Sequence, residues 1–451
     1  MARRLVIIGG DAAGMTAAAQ ARRMASADEL EILAFERGSR TSYAACGLPY
    51  LIGGLVEAPA ELVARTPEEH QAKGIDVRIR HEVTAIDTQT ATVTVRNLDT
   101  DQESVTHYDE LLIATGASGI TPPWPGIDAE GVLQLRTLAD AAKVEQALAA
   151  GTRHAVVVGA GYIGLEVAEN LLARGLAVSV IEKLDAPMGA VLDADMAAAV
   201  TDAMRSAGID LRLGTSVTGF TVSDGRVTAV ETEAGPVKAD LVVIGLGVRA
   251  NTELARAAGI GVGEGGGIIV DDHLRTGAPH VWAAGDCVES RHRMTGRGVV
   301  MALGTHANKQ GRCAGTNIAG GEATFGGVLG TAITKFKQLE IARTGLTERE
   351  AAAAGFDAFA EITEASSRAG YYPGAQSMRI KIVAERQTGK LLGAQIVGGE
   401  DAGKRIDVLA TALWNGMTVQ EVSGMDLSYA PPFSPVWDPV LLAAGKAASK
   451  L

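Results

Sequence analysis

Twice in this chain a run of apolar strand-forming residues breaks into closely spaced glycines and then into a stretch with helical spacing. That repeat constrains the fold more than any other feature. The first copy is Leu5-Val6-Ile7-Ile8, then Gly9-Gly10-Asp11-Ala12-Ala13-Gly14, then a helical stretch from Met15 to Met24. The second is Ala155-Val156-Val157-Val158, then Gly159-Ala160-Gly161-Tyr162-Ile163-Gly164, with a helix running on through Leu165-Glu166-Val167-Ala168-Glu169. Glycine is required at such a turn because a Cβ would block the approach of a pyrophosphate to the N–H groups at the helix start, where the helix dipole favours negative charge. Each copy is followed by a second strand that ends on an acidic residue: Glu31–Phe35 runs into Glu36, and Ala177–Ile181 into Glu182. A carboxylate there is placed to hold an adenosine ribose. The second copy has all three glycines of the fingerprint, whereas Asp11 takes the middle place in the first. Glu182 suits a ribose 2′-hydroxyl and repels a 2′-phosphate, which favours NADH. The adjoining Lys183 pulls the other way and leaves NADPH open.

At 451 residues the chain is too long for one small core, and 55 glycines with 47% hydrophobic content fit two or three α/β domains. The formal charge of -12, with no acidic run, argues against a nucleic-acid partner, which would want a basic face. No apolar stretch reaches membrane-spanning length, and Arg3-Arg4 followed by four apolar residues is too short for a signal peptide. A cytoplasmic enzyme without a membrane partner is expected. The three cysteines, Cys46, Cys287 and Cys313, do not make a secreted disulfide framework, and they lack zinc-binding spacing. The eight histidines form no ligand cluster by spacing, so no metal is expected.

Tyr108–Gly116 reads as a strand closing a first unit, Thr121-Pro122-Pro123-Trp124-Pro125 as a rigid crossover, and Leu241–Gly247 as a second closure of the same kind. The expected organisation is 1–118 and 240–323 as one interrupted dinucleotide domain, 119–239 as a second inserted in it, and 324–451 as a C-terminal domain. In that last part Ser377–Val383 and Leu391–Gly398 read as strands and Lys404–Asn415 as an apolar-faced helix. The fold class is therefore α/β, with two Rossmann-like domains and a C-terminal α+β domain.

Thr276-Gly277-Ala278-Pro279-His280-Val281-Trp282-Ala283-Ala284-Gly285-Asp286 resembles the second flavin motif of the two-dinucleotide flavoprotein reductases. The resemblance covers the whole chain. It implies FAD in the first domain, NAD(P)H in the second, and a C-terminal domain that makes a homodimer. Asp286 then takes the place of the aspartate that meets the ribityl hydroxyls. Further flavin contacts implied are Gly9, Asp11, Ala12, Ala13, Gly14, Glu36, Arg37, Val83, Ala114, Thr115, Gly116 and Ala302. Nicotinamide-dinucleotide contacts are implied at Gly159, Gly161, Tyr162, Ile163, Gly164, Glu182, Lys183 and Gly245. In related reductases the aromatic at the place of Tyr162 covers the flavin until nicotinamide displaces it.

Cys46 lies in Ser42-Tyr43-Ala44-Ala45-Cys46-Gly47-Leu48-Pro49-Tyr50, and Leu51 stands where a C-x-x-x-x-C pair would have its second cysteine. A lone thiol beside a flavin stores the oxidised equivalent as a mixed disulfide with an outside thiol or as a sulfenic acid. The surroundings resemble coenzyme A disulfide reductase, whose single cysteine forms a mixed disulfide with coenzyme A. Its coenzyme A contacts match Thr16, Gln20, Arg23 and Ser42, while its asparagine before the cysteine is Ala45 here. NADH peroxidase and the water-forming NADH oxidases share the architecture, but their histidine near the cysteine is Ala12 here, which disfavours a dedicated peroxidase. A coenzyme A persulfide or polysulfide reductase using the same thiol is a further alternative. No histidine follows His306 to serve as acid for a leaving thiol. Tyr429, with Tyr371 or Tyr372, is close to the tyrosines that coenzyme A disulfide reductase presents across its dimer interface. These three and Cys46 are the expected catalytic residues, acting on a small-molecule disulfide.

Overall fold

The computed structural model describes residues 2–451. The chain forms two compact units. One comprises the residues up to Gly47 with Val56–Ile120 and Val248–Val328, and the other Leu48–Leu55 with Thr121–Gly247 and Leu329–Leu451.

In the first unit the described strands include a five-stranded sheet in the order Val281–Ala283, Glu110–Ile113, Arg3–Ile8, Leu30–Glu36, Asp76–Ile79, with every neighbouring pair parallel. Leu5 to Ile8 and Leu111 to Ile113 are buried without a break. Such uninterrupted apolar runs are what a parallel sheet covered on both faces demands. The helix Ala12–Met24 packs along the helix Gly304–Ile318, and Gly311 allows the close approach, since a Cβ there would come within 2.3 Å of the Ala13 carbonyl oxygen. Strands His81–Asp87, Thr92–Asn97 and Glu103–His107 form a separate antiparallel sheet between the third and closing strands.

The second unit repeats this plan. Its parallel sheet runs Asp210–Arg212, Ala177–Ile181, His154–Val158, Leu241–Ile244, Val132–Gln134. It too has an antiparallel excursion, Val217–Ser223, Arg226–Thr232 and Val237–Lys238. The same unit contains the antiparallel sheet Ala332–Phe336, Leu339–Gly345, Leu391–Gly398, Ser377–Glu385, Ala358–Ser366. Helices Ile406–Trp414 and Pro439–Ala448 cover it. The helix expected over Lys404–Asn415 begins as a 3-10 turn, Gly403–Arg405, and turns α-helical at Ile406, which is buried.

Candidate active site

Both glycine turns lead into a helix whose start carries no side-chain cap. Gly9 has φ +111°, and a Cβ there would lie 2.1 Å from the Ala114 carbonyl oxygen, so the turn and the closing strand touch backbone to backbone. The helix that follows has no acidic residue in its first turn and no side-chain cap, which leaves its leading amides for an anion. Gly161, at the start of the helix Tyr162–Ala173, is likewise uncapped, and nothing lies within 4 Å of where its Cβ would be. That open space fits a dinucleotide pyrophosphate.

The two acidic residues are placed alike. Glu36 Oε2 accepts the Gly10 N–H at 2.8 Å and Oε1 the Gly38 N–H at 2.6 Å. Glu182 Oε2 accepts the Ala160 N–H at 2.7 Å and Oε1 the Leu184 N–H at 2.8 Å. Each carboxylate is held across its turn with lone pairs to spare for ribose hydroxyls. Arg37 and Lys183 are exposed beside them. The closing segments are braced too: Gly245 N–H donates to the Val158 carbonyl at 2.7 Å, and Asn251 exchanges bonds with Thr115 and Gly116. Asp286 follows Gly285, whose N–H donates to Gln310 Oε1 at 2.8 Å. Val83 is buried in the core and precedes a bulge, and Ala302 is half-buried before the helix Gly304–Ile318.

Tyr162, Glu166 and Glu169 share one face of their helix. Thr334 donates to Glu166 Oε1 at 3.0 Å, and Lys335 pairs with Glu169 at 3.3 Å. Burial pushes the Tyr162 phenol up to about 12, with Arg343 opposing and Glu350 adding to the shift, so it stays protonated at neutral pH. Burial, eased by Thr334 and reinforced by Glu169, raises Glu166.

The loop carrying the thiol is fastened to the first glycine turn. The Ser42 N–H donates to the Gly10 carbonyl at 3.0 Å, and the Thr41 hydroxyl donates to the same oxygen. Ala44 and Leu62, and Ser42 and Ala64, are joined by further backbone bonds of 2.8 Å. Cys46 then sits exposed in the turn Ala45–Gly47, immediately before the short helix Leu48–Ile52. Cys287 and Cys313 are buried, and burial raises both thiols, that of Cys313 to about 11, so neither is a reactive thiolate. Thr16 donates to Asn308 Oδ1 at 2.7 Å, Gln20 to Thr316 Oγ1 at 3.1 Å, and the exposed Arg23 to Gln20 Oε1 at 2.6 Å. Arg22 instead holds the carbonyls of Ala25, Leu30 and Gly74, a structural task.

The tyrosines lie on two segments drawn together by Arg405, which donates to the carbonyls of Ser367 at 2.8 Å and Phe433 at 2.7 Å. Tyr371 and Tyr429 meet there. Partial desolvation and the hydrogen bond with Tyr371 raise the Tyr429 phenol. Tyr372 is tied to the Ala369 carbonyl through its N–H at 2.8 Å. Phe433, Val436 and Trp437 nearby in sequence are each about two-thirds exposed or more.

Among the described residues no group of three or more His, Cys, Asp or Glu is placed to hold a metal ion, and no helix is long and apolar enough to cross a membrane. Two dinucleotide folds, an exposed thiol tied to the first turn, and an antiparallel C-terminal sheet define an NAD(P)H-dependent flavoprotein oxidoreductase. Residues 3–311 match the family described as pyridine nucleotide-disulphide oxidoreductase, and residues 331–439 its dimerisation domain. The chain belongs to this family, whose enzymes use FAD and NAD(P)H. It is 38% identical over 446 residues to a protein of Pyrococcus horikoshii named NAD(P)H coenzyme A polysulfide/persulfide reductase, covering 98% of each chain. It is 33% identical to a coenzyme A disulfide reductase of Staphylococcus aureus, covering 96% of each. The solved structure of an NAD-dependent persulfide reductase from A. fulgidus superposes with a TM-score of 0.97 at 40% identity, over 99% of this chain and 83% of that one.

Two features of the site escape a reading of the sequence. His70 is buried against Ser42, and Arg343 with Glu350 acts on Tyr162. Each pairing joins residues far apart in the chain, and no spacing rule signals it.

Proposed function

We propose that this protein reduces a sulfur–sulfur bond carried by coenzyme A, with Cys46 as the redox-active thiol. The observation that carries this reading is that Cys46 is exposed while Cys287 and Cys313 are both buried. An internal disulfide with either of them is therefore closed off, and a small-molecule thiol has room to pair with Cys46.

Bound FAD would pass the two electrons of NAD(P)H to sulfur. Gly9, Gly14, Glu36, Thr115 and Asp286 would hold it, and Gly159, Gly161, Glu182 and Lys183 the nicotinamide dinucleotide. The Cys46 thiolate attacks one sulfur of coenzyme A disulfide, forming a Cys46–coenzyme A disulfide and releasing one coenzyme A thiolate. Two electrons then cleave that mixed disulfide and restore the Cys46 thiolate with a second coenzyme A thiolate. One NAD(P)H and one proton are consumed for the two thiols formed. Thr16, Gln20, Arg23 and Ser42 would hold the adduct, and Arg23 supplies an exposed cation for its phosphates. In a homodimer formed through the C-terminal domain, the phenol of Tyr429, with Tyr371, would stabilise or protonate the departing thiolate. Its similarity to enzymes named persulfide reductases favours one second reading, a coenzyme A persulfide as the substrate of the same thiol.

Denaturing the protein without reductant and weighing the Cys46 peptide tests this directly. An adduct the mass of coenzyme A is expected, and added oxygen would move the assignment to an oxidase. Cys46→Ser is expected to lose disulfide reduction by at least about 10³-fold, since no other exposed thiol replaces the nucleophile. Retained turnover would end the proposal.

A further inference from the structure

Ser42, in the loop that leads to Cys46, has a left-handed backbone at φ +52°, uncommon for a residue with a side chain, so its surroundings hold it there. Its side chain meets His70, on the short helix Pro67–Gln71. Pro67 at the first position and a reciprocal pair of bonds between Thr66 and Glu69 start this helix, and the His70 carbonyl accepts the N–H groups of Lys73 and Ile75. His70 is 1% exposed. Its Nε2 lies 2.9 Å from Ser42 Oγ, and its Nδ1 is buried with no hydrogen-bond partner among the described residues.

The orphaned nitrogen decides where the protons are. Burial, with Arg65 and Lys73 adding to it against Glu69, lowers the His70 pKa, so the ring is neutral and carries one N–H. If that proton sat on Nδ1, a buried donor would have no acceptor. With the proton on Nε2, only a lone pair goes unmatched, the lesser penalty. Nε2–H therefore donates to Ser42 Oγ. The Thr41 hydroxyl is committed to the Gly10 carbonyl, and at 3.4 Å its oxygen is too distant to hold the Ser42 proton firmly. The Ser42 O–H is thus left to donate elsewhere.

We propose that His70 is a positioning residue for substrate recognition, fixing Ser42 as a hydrogen-bond donor to an oxygen acceptor on the thiol ligand held at Cys46. The inference rests on the reading of Cys46 as a thiol-exchange site. It assigns the recognition of that ligand to a residue outside the motifs.

The test is a double-mutant cycle with coenzyme A disulfide at saturating NADH. His70→Phe is expected to raise the KM for the disulfide about fivefold to tenfold, with kcat changing less than about twofold, as for one lost hydrogen bond. His70→Gln, whose amide offers an N–H at the same reach, is expected to restore most of the loss. Ser42→Ala combined with His70→Phe should be no worse than Ser42→Ala alone. Multiplying effects, or an unchanged KM in His70→Phe, would overturn the proposal. Independently of any substrate, ¹⁵N spectra of the wild-type imidazoles should show His70 protonated at Nε2, and protonation at Nδ1 would overturn it. If the wild type does not reduce coenzyme A disulfide, the functional reading fails and the recognition role of His70 with it, while the tautomer measurement still decides whether His70 donates to Ser42.

Discussion

In the first dinucleotide module the helix after the glycine turn packs backbone-close against a second helix, to which Thr16 and Gln20 also bond. In the second the helix is as deeply buried, at Leu165, Val167, Ala168 and Leu171, and adds polar and ionic contacts to the strand Ala332–Phe336. The strand orders of the two sheets correspond position for position, except that the fifth strand comes from downstream in one, Val281–Ala283, and from upstream in the other, Val132–Gln134. Helix Ala12–Met24 meets Gly311 and Gly315 so tightly that a Cβ at either would fall within 2.4 Å of a carbonyl oxygen. Helix Tyr162–Ala173 instead presents Glu166 to Thr334 and Glu169 to Lys335. The second module is also tied to the C-terminal sheet through Lys381, which is 1% exposed and paired with Asp193 at 3.2 Å, Asp195 at 2.8 Å and Glu348. Close packing resists any change in volume, whereas ion pairs respond to charge and pH. One backbone plan therefore yields two seats with different vulnerabilities.

The sharpest way to break the comparison is to add one methyl group to each turn. Gly9→Ala combines a left-handed φ with a backbone clash, and is expected to lower stability by about 3–6 kcal/mol and yield protein without flavin. Gly161→Ala meets nothing, so stability should stay within about 0.5 kcal/mol while the KM for NADH rises. Thermal unfolding and flavin absorbance read both; Gly159, the counterpart of Gly9, shares its left-handed φ and its close backbone contact, so the contrast lies in the middle position of the second turn, and a loss at Gly161 equal to that at Gly9 would show that this position is not open.

Next in size is Lys381→Met. It leaves three carboxylates without their cation, but Asp195 and Glu348 remain about half open to water, so the loss is about 2–3 kcal/mol, below that for a fully buried pair. Burial works against the Lys381 charge, but the three carboxylates outweigh it and raise the pKa. The lysine's contribution is therefore fully present below its unfolded value of about 10.4 and is lost as pH rises through the raised folded value. Denaturant titration of wild type and variant at pH 7 and above pH 10 measures both effects. A difference between the two proteins that stays constant with pH would exclude the cage.

The smallest expected effect concerns selectivity. Glu182→Ala removes the carboxylate that would repel a 2′-phosphate and leaves Lys183 beside it, so the preference for NADH over NADPH should fall about tenfold, or about 1.4 kcal/mol. Steady-state kcat/KM with each cofactor gives the ratio, and an unchanged ratio would place discrimination elsewhere.

The central strands were legible because a parallel sheet buried on both faces requires unbroken apolar runs. Ala177–Ile181 spans the parallel strand expected there, and Leu391–Gly398, in the antiparallel C-terminal sheet, is likewise buried throughout and was legible from its own apolar run. The glycine turns and the acidic residues after them were legible because a pyrophosphate and a ribose impose fixed spacings within one strand–helix–strand unit. The tyrosines were legible only as candidates. Tyr371 and Tyr429 come together because Arg405 binds the carbonyls of Ser367 and Phe433, a long-range arrangement without a local signal. The buried ring of His70 and the cage of Lys381 were invisible for the same reason, since a lone histidine or lysine in a sequence says nothing of what will face it.

By itself, the sequence determined the two nucleotide folds and their glycine turns, which follow from periodicity and spacing over a few tens of residues. Only the tertiary structure decided which polar groups face one another across elements distant in the chain. Their pairing energies depend on burial and on separations of about 3 Å, which local patterning does not encode.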